Sequence, residues 1–464
     1  MFLSSVCCIE LACQVFTGIF MVWAFFILAF NFKNGKYKIK NDHLGIALTF
    51  FFSLLLPCFF YAGTNFHLNM MISYHVFICI FLFYSMFQTS DFEQLKKELI
   101  TIFKFIVITT TLFSVIGMLI MFCSSTIEIM NYSLGLLDNR YTGLYTNPNL
   151  SAFCNTVGIM FTHFLTVYQK SQNLKILAKP FVFLSVFFNF SNLLLSDSNS
   201  SLILLMLYFF VFYFVKIYLK ISNKKGFKAS LPYLFLYCIC FAGLFLCVFF
   251  IRVYFQNLVS YIMNLIHYVS IEGEETDIAL VIGRAASKYE ITSGRTDSLQ
   301  KAFVLFSEFP LFGVGKANIL EYSNRYLARG LLFSDLHNGY LTILVSCGIL
   351  GFSLFMLFSF CVAKRVINFV FSENSQTNIM ISFFSMLVAY CAFSVSEKTL
   401  LLDLTFMVVV FWLILGYTMN YINFYSPFQR NQKLLQFKEA SLNKLKNLFS
   451  RFISINKKDD NSIN

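Results

Sequence analysis

Charge is scarce in this sequence: Asp, Glu, Lys and Arg make up only 12% of its 464 residues, about half the ~25% usual in soluble domains. Metal-binding signatures are absent too, with no Cys-x-x-Cys pair and no cluster at zinc-ligand spacing. There is no Gly-x-x-x-x-Gly-Lys-Ser/Thr phosphate loop and no strand-to-helix Gly-x-Gly-x-x-Gly turn, which argues against ATP-driven transport by this chain alone. The opening MFLSSVCCIELACQVF lacks the basic n-region of a secretory signal, and its apolar run continues to about Phe32. It reads as a first transmembrane helix, retained in the mature protein. None of the thirteen cysteines falls between 252 and 336. Cys7, Cys8, Cys79, Cys154, Cys238, Cys240, Cys361 and the rest lie almost entirely in or beside apolar runs, as small apolar residues do, and form no disulfide framework.

Apolar residues are abundant, at 58%, and the mean hydropathy is +0.70. Runs long enough to cross a bilayer core of about 30 Å lie near 6–32, 44–63, 70–87, 105–124, 150–168, 181–196, 201–219, 231–251, 338–362, 377–395 and 402–420. This pattern predicts an all-α polytopic membrane protein with about eleven transmembrane helices (10–12). The pair 181–196 and 201–219 is separated only by DSNS. The expected organisation is an N-terminal bundle over 1–251, a large extracytoplasmic loop with amphipathic helices over 252–336, C-terminal helices over 337–420 and a basic amphipathic cytoplasmic tail over 421–464.

A net charge of +12 would suggest nucleic acid in a soluble protein. Here the basic residues sit in short connections, where they set membrane orientation instead. If NFKNGKYKIKND is cytoplasmic, strict alternation also places Lys96, Lys97 and Lys104, Lys170 to Lys179, Lys216 to Lys228, Lys364 and Arg365 inside. The opposite connections then hold little positive charge beyond Arg140 and Lys398, and 252–336 becomes external. In the tail, Leu442, Leu445, Leu448, Phe449, Phe452 and Ile453 recur at helical spacing between lysines, the pattern of a helix lying on an anionic leaflet or binding a partner.

Polar residues that cluster in such a chain are costly and mark function. LDNRYTGLYTNPNLSAF (137–153) holds Arg140 before an Asn-Pro-Asn turn (Asn147, Asn149), with Asn149 or Ser151 expected to cap the following helix. TSGRTDSLQKAF (292–303) sets Ser293, Arg295 and Asp297 before an amphipathic run through Leu299, Ala302, Phe303, Phe306 and Phe309. It leads into EFPLFGVGKANILEYSNRY (308–326). SDLHNGYLTILVSCGILG (334–351) places His337 and Asn338 at the mouth of an apolar helix. Taken singly, each also fits a solvated turn or a wetted helix entrance.

Together, RYTGLYTNPN, SGRTDSLQKAF, PLFGVGKAN and LHNGYLTILVSCGILG resemble, in order, the O-antigen ligase and polymerase superfamily of bacterial surface polysaccharide assembly. The resemblance covers most of the chain and centres on 292–351. It implies a GT-C-like membrane glycosyltransferase acting on polyprenyl-diphosphate-linked oligosaccharide at the outer face of the cytoplasmic membrane. The partners implied are that lipid-linked substrate, membrane lipid, a chain-length regulator and a flippase, with no nucleic acid and no cofactor. Within the resemblance His337 matches the family's essential histidine, Arg295 the arginine of its large loop, and Arg140 the basic residue of the Asn-Pro-Asn segment. Arg284 lies in the same loop without a motif match. One departure stands out: where the family usually has Ser-Arg opening a helix, this chain has Ser198 and Asn199, which leaves the diphosphate to Arg140 or Arg284.

These residues suit a glycosyl transfer. Arginine forks bind phosphate oxygens bidentately and stay charged, so a metal is unnecessary in principle. A neutral histidine, with an ordinary pKa of about 6.5, suits removal of a proton from an acceptor hydroxyl. The expected roles are His337 as general base, Asn338 as its helper, and Arg295 and Arg140 as diphosphate ligands. A polymerase of capsule or O-antigen repeat units is the favoured reading, since 252–336 shows no extra domain for gripping a protein acceptor. A ligase is the alternative within the family. A transporter of lipid-linked oligosaccharide would place charges near the bilayer midplane, whereas these runs are nearly charge-free apart from Glu10.

Overall fold

The computed structural model describes residues 10–34, 43–61, 65–85, 92–129, 132–270, 281–283, 295–327, 331, 336–372, 377–403 and 405–425. Among the described residues, each of the eleven apolar runs holds a helix: α1 (Glu10–Lys33), α2 (Leu44–Phe60), α3 (Phe66–Ile78, prolonged by a π turn, Cys79–Ser85), α4 (Phe92–Ser124), α5 (Pro148–Gln172), α6 (Lys179–Leu195), α7 (Asn199–Lys225) and α8 (Phe227–Ser270), then α11 (Gly339–Val370), α12 (Thr377–Phe393) and α13 (Phe406–Tyr425). Between α8 and α11 lie α9 (Arg295–Glu308) and α10 (Ile319–Tyr326). Among the described residues, seven helices are long and apolar enough to span a membrane, and four shorter apolar helices accompany them. The chain is therefore an all-α multi-pass membrane protein. Helices suit that setting because each satisfies its own backbone where no water can. The basic tail from 426 onward lies outside the described residues.

Burial sorts the spans. The α13 window is 83% buried and that of α8 11%, so α13 runs through the core and α8 along the periphery. Inside the bundle, polar side chains hold helices together. Ser114 Oγ donates to Asn155 Oδ1 (2.7 Å) and Asn189 Oδ1 (3.1 Å), and Thr111 Oγ1 donates to Ser185 Oγ (2.9 Å). Such bonds contribute roughly 0.6 kcal/mol each in a membrane. They fix α4, α5 and α6 as a unit. His163 Nδ1, Tyr208 Oη and Ser382 Oγ (2.7 and 2.8 Å) tie α5, α7 and α12 in the same way.

Three features depart from the sequence reading. The segment after α4, in which the sequence reading names no strand, is an antiparallel sheet of β1 (Thr126–Ile129), β2 (Tyr132–Leu137) and β3 (Arg140–Gly143). Asp138 and Asn139, at φ 51° and 59°, make the two-residue hairpin turn whose left-handed backbone suits Asn and Asp. Tyr141 is buried against Gly117 and Gly143, where any added Cβ would collide with its ring; burial pushes its phenol well above the ordinary range. Second, α8 continues through Ser270, so residues 252–270 are helix. Third, the cap of α5 is neither Asn149 nor Ser151 but Asn147, whose Oδ1 accepts from Leu150 N at 2.8 Å.

The glycine motifs form a single lock. α11 is broken at Gly348 (φ 61°, ψ −169°), and the turn Pro310–Gly315 fills the break. Val314 N and Gly315 N donate to Val345 O and Ser346 O (3.0 and 2.9 Å), while Ile349 N donates to Pro310 O (2.8 Å). The carbonyls and amides orphaned by the interrupted helix are thereby satisfied. Beyond the turn, Ala317 N donates to Asn69 Oδ1 (2.8 Å) and Asn65 Nδ2 to Glu321 Oε2 (3.3 Å), seating α10 on the start of α3.

Candidate active site

His337 precedes α11 in a left-handed conformation (φ 46°), which histidine adopts more readily than most side chains. Three contacts hold it there. Leu336 is buried in a cluster with Ala302 and Leu305 of α9 and Leu341, Leu344 and Val345 of α11. Asn338 caps α11, its Oδ1 accepting from Leu341 N at 3.0 Å. Gly339 N donates to Ser394 O (2.8 Å), pinning the junction to the end of α12. Asn338 thus positions the histidine through the backbone. Replacing it by alanine should lower stability by about 1 kcal/mol, whereas Asn338→Asp keeps the cap. Melting curves of the two purified variants check this, and equal losses in both would count against a capping role.

The cluster around Leu336 also places Arg295. It is the first residue of α9, two turns ahead of Ala302, so its helix packs on the one that His337 opens. The run that begins at Leu299 is helical in α9, but burial splits it: Ala302 and Leu305 face inward, while Leu299 and Phe303 are exposed. Arg284 lies outside the described residues. The chain just before it is fixed, because Gly283 N donates to Asn139 O (2.7 Å) and Ile282 N to Ser260 Oγ (2.9 Å).

Arg140 opens β3. Its Nη2 donates to Asn149 Oδ1 (2.8 Å), its Nε to Ser196 O (2.9 Å) and its Nη2 also to Asp197 O (3.4 Å). Arg140 and Asn149 are therefore brought together directly, and both meet the corner between α6 and α7. The tip of α12 connects the start of α11 to this corner. Ser394 holds the start of α11, and Phe393 stacks on Phe153 of α5 at 5.7 Å, four residues after Asn149. Arg140, Asn147, Asn149, Arg295, His337 and Asn338 all occupy one end of the bundle.

The same end holds a buried arginine that the sequence reading passed over. Arg252 of α8, 5% exposed, donates from Nη1 to Asn199 Oδ1 (2.6 Å) and pairs with Asp197 Oδ1 (3.1 Å). One signal could have found it: Arg252, Gln256 and Ser260 recur every four residues, a polar stripe along one helix face, and all three are buried. In the connection after α12, Lys398 Nζ pairs with Asp403 Oδ2 at 3.0 Å, and the side-chain hydroxyls of Ser394 and Thr399 hydrogen-bond.

From the first turn of α11 an apolar cavity of about 330 Å³ runs between α11, α12 and α13. Its walls include Tyr340, Phe355, Phe358, Val362, Leu387 and Trp412. An apolar cavity of this kind suits a hydrocarbon chain.

The sequence profile of the O-antigen ligase family matches residues 184–356, from α6 into α11, and so includes the α6–α7 corner, Arg252, Arg295 and His337. No curated protein and no solved structure matches the chain.

Proposed function

Because the O-antigen ligase profile matches residues 184–356 and the members of that family are enzymes, we propose that the chain polymerises polyprenyl-diphosphate-linked oligosaccharide repeat units on the outer face of the cytoplasmic membrane. The observation that carries this reading is the gathering of His337, Arg140 and the Arg295 helix at one end of the bundle, beside an apolar cavity that begins three residues after His337. In the reaction, an acceptor sugar hydroxyl attacks the anomeric carbon of the donor glycan. The bond from that carbon to the lipid diphosphate breaks, and the hydroxyl proton passes to His337. Charge developing on the leaving diphosphate is stabilised by Arg140 and Arg295, whose contacts strengthen where water is excluded. Asn338 keeps His337 at the mouth of α11, and Asn147 keeps Asn149, the partner of Arg140, at the mouth of α5. The end bearing these residues faces outward by the distribution of lysines.

The decisive assay supplies purified protein in nanodiscs with lipid-linked repeat units and nothing else. A ladder of lengthened glycans supports polymerisation. Transfer only after a second, chemically different acceptor is added makes the protein a ligase, and movement of substrate across the bilayer without lengthening makes it a transporter. The cavity supplies a separate prediction. Ser359→Trp places an indole among its lining residues and should raise KM for an undecaprenyl-linked donor about tenfold, the worth of some two buried methylenes, while sparing a geranyl-linked donor. An equal KM change for both donors would remove the cavity from the donor path.

A further inference from the structure

The α6–α7 corner is gripped from two sides. Arg140 reaches from the sheet to the carbonyls of Ser196 and Asp197, and Arg252 reaches from α8 to the side chains of Asp197 and Asn199. Asp197 sits at φ 52°, which turns the chain back to start α7. That 27-residue helix begins at Asn199, and the side chain of Ser198 at its cap position makes no capping bond. Its first backbone amides and its dipole therefore favour an anion. Two guanidiniums against one carboxylate leave this corner net positive.

Arg252 is more than a staple for α8. A guanidinium has five N–H donors. Its Nη1 serves Asn199 and Asp197, and its Nε is buried with no hydrogen-bond partner among the described residues. Phe249 covers one face of the group at 4.9 Å, so it cannot swing away freely. A buried cation with an unused donor, beside an open helix N-terminus and a second arginine, is arranged for a phosphate-bearing ligand.

We propose that Arg252 is a diphosphate-binding residue of this protein. The start of α7 carries the neutral Asn199, and Arg252 brings a cation to it from the neighbouring helix, with the Asn199 amide and the Asp197 carboxylate orienting its fork. The inference rests on the lipid-diphosphate donor of the preceding section and names one of the groups that hold it. It adds a residue from α8 to a site otherwise drawn from the sheet, α9 and α11.

The test uses the purified full chain and farnesyl diphosphate as probe, with farnesol as control. Removing Arg252 alone would leave Asp197 buried without its counter-charge, so the informative variants are the neutral pair D197N/R252Q and the exchange N199R/R252N. The neutral pair retains hydrogen-bonding groups at both positions, and should fold normally yet bind farnesyl diphosphate roughly tenfold or more weakly, the worth of one charge-assisted hydrogen bond, with farnesol unaffected. The exchange should recover most of the affinity, because the cation then sits on α7 itself. Wild-type affinity in the folded neutral pair, or an exchange no better than that pair, would overturn the proposal. Arg252-dependent binding by a protein that never lengthens glycans would leave this inference standing and remove the polymerase reading. Normal polymer formation with unchanged donor KM in the neutral pair would do the reverse.

Discussion

Gly348→Ala should yield a protein that melts far below the wild type, with a loss of about 3 kcal/mol or more. Two costs combine. At φ 61° and ψ −169° the residue occupies a region of backbone space essentially reserved for glycine, and forcing another residue there costs about 1–3 kcal/mol. The new Cβ would also strike the Leu311 carbonyl and press Phe312 N at 2.6 Å. These are backbone atoms, held by the bonds that join Pro310–Gly315 to the broken helix, so no rotamer change relieves the overlap; forced overpacking costs a further 1–3 kcal/mol or so. Gly243→Ala, where nothing lies within 4 Å of the added carbon, serves as the control and should melt at or above wild type. Thermal melts of both variants in detergent decide the matter. A Gly348→Ala protein as stable as Gly243→Ala would mean that the lock between the turn and α11 is not a determinant of the fold.

This lock changes how the sequence motifs are read. Pro310, Gly313, Gly315 and Gly348 punctuate motifs that carry the family resemblance, and their glycine spacing matches no phosphate loop. Their work in the fold is structural. Gly313, at φ 70°, lies so close to Val345 and Ser346 that a Cβ would stand 2.5 Å from backbone atoms, and Gly315 faces Asn69 of α3. The turn holds α9, the start of α11 and the mouth of α3 together, which is how a helix opened by Arg295 comes to pack on the helix opened by His337.

The helices were legible because hydrophobic runs of bilayer length admit few alternatives. The sheet was not. Its strands have four to six residues, they contain Gly135 and two polar threonines, and their stability comes from α4 and Tyr141 rather than from any alternation in their own sequence. The site was partly legible for a related reason. His337, Arg140 and Arg295 stand beside glycine, proline or asparagine punctuation that draws attention to them. Arg252 has no such neighbour, follows an uninterrupted apolar run, and looks like the first residue of a loop. Only the continuation of α8 to Ser270 turns it inward, and that continuation depends on Gln256 bonding Leu194 O (2.7 Å) and on Ser260 holding Ile282 N. A sequence-level helix boundary cannot contain those tertiary contacts.

Removing the imidazole of His337 should reduce polymer formation by at least ~100-fold, the usual worth of a general base. The choice of replacement matters because the backbone here is left-handed. Alanine would lose the base and add strain, confusing chemistry with stability. Asparagine tolerates that conformation and lacks a base, so His337→Asn separates the two. The expected result is a variant with wild-type melting behaviour, unchanged binding of farnesyl diphosphate to the arginines, and almost no glycan lengthening. Wild-type rate should fall on the acid side as the imidazole takes up a proton, and the residual rate of His337→Asn should lack that limb. Near-normal polymer from a well-folded His337→Asn protein would move the proton acceptor elsewhere at the same end of the bundle. An alternative lies in the connection after α12, where the Glu397 and Ser394 carbonyls face Gly339 and Lys398 pairs with Asp403. If that connection held the base, Asp403→Asn would lose glycan lengthening instead, and His337→Asn would retain it.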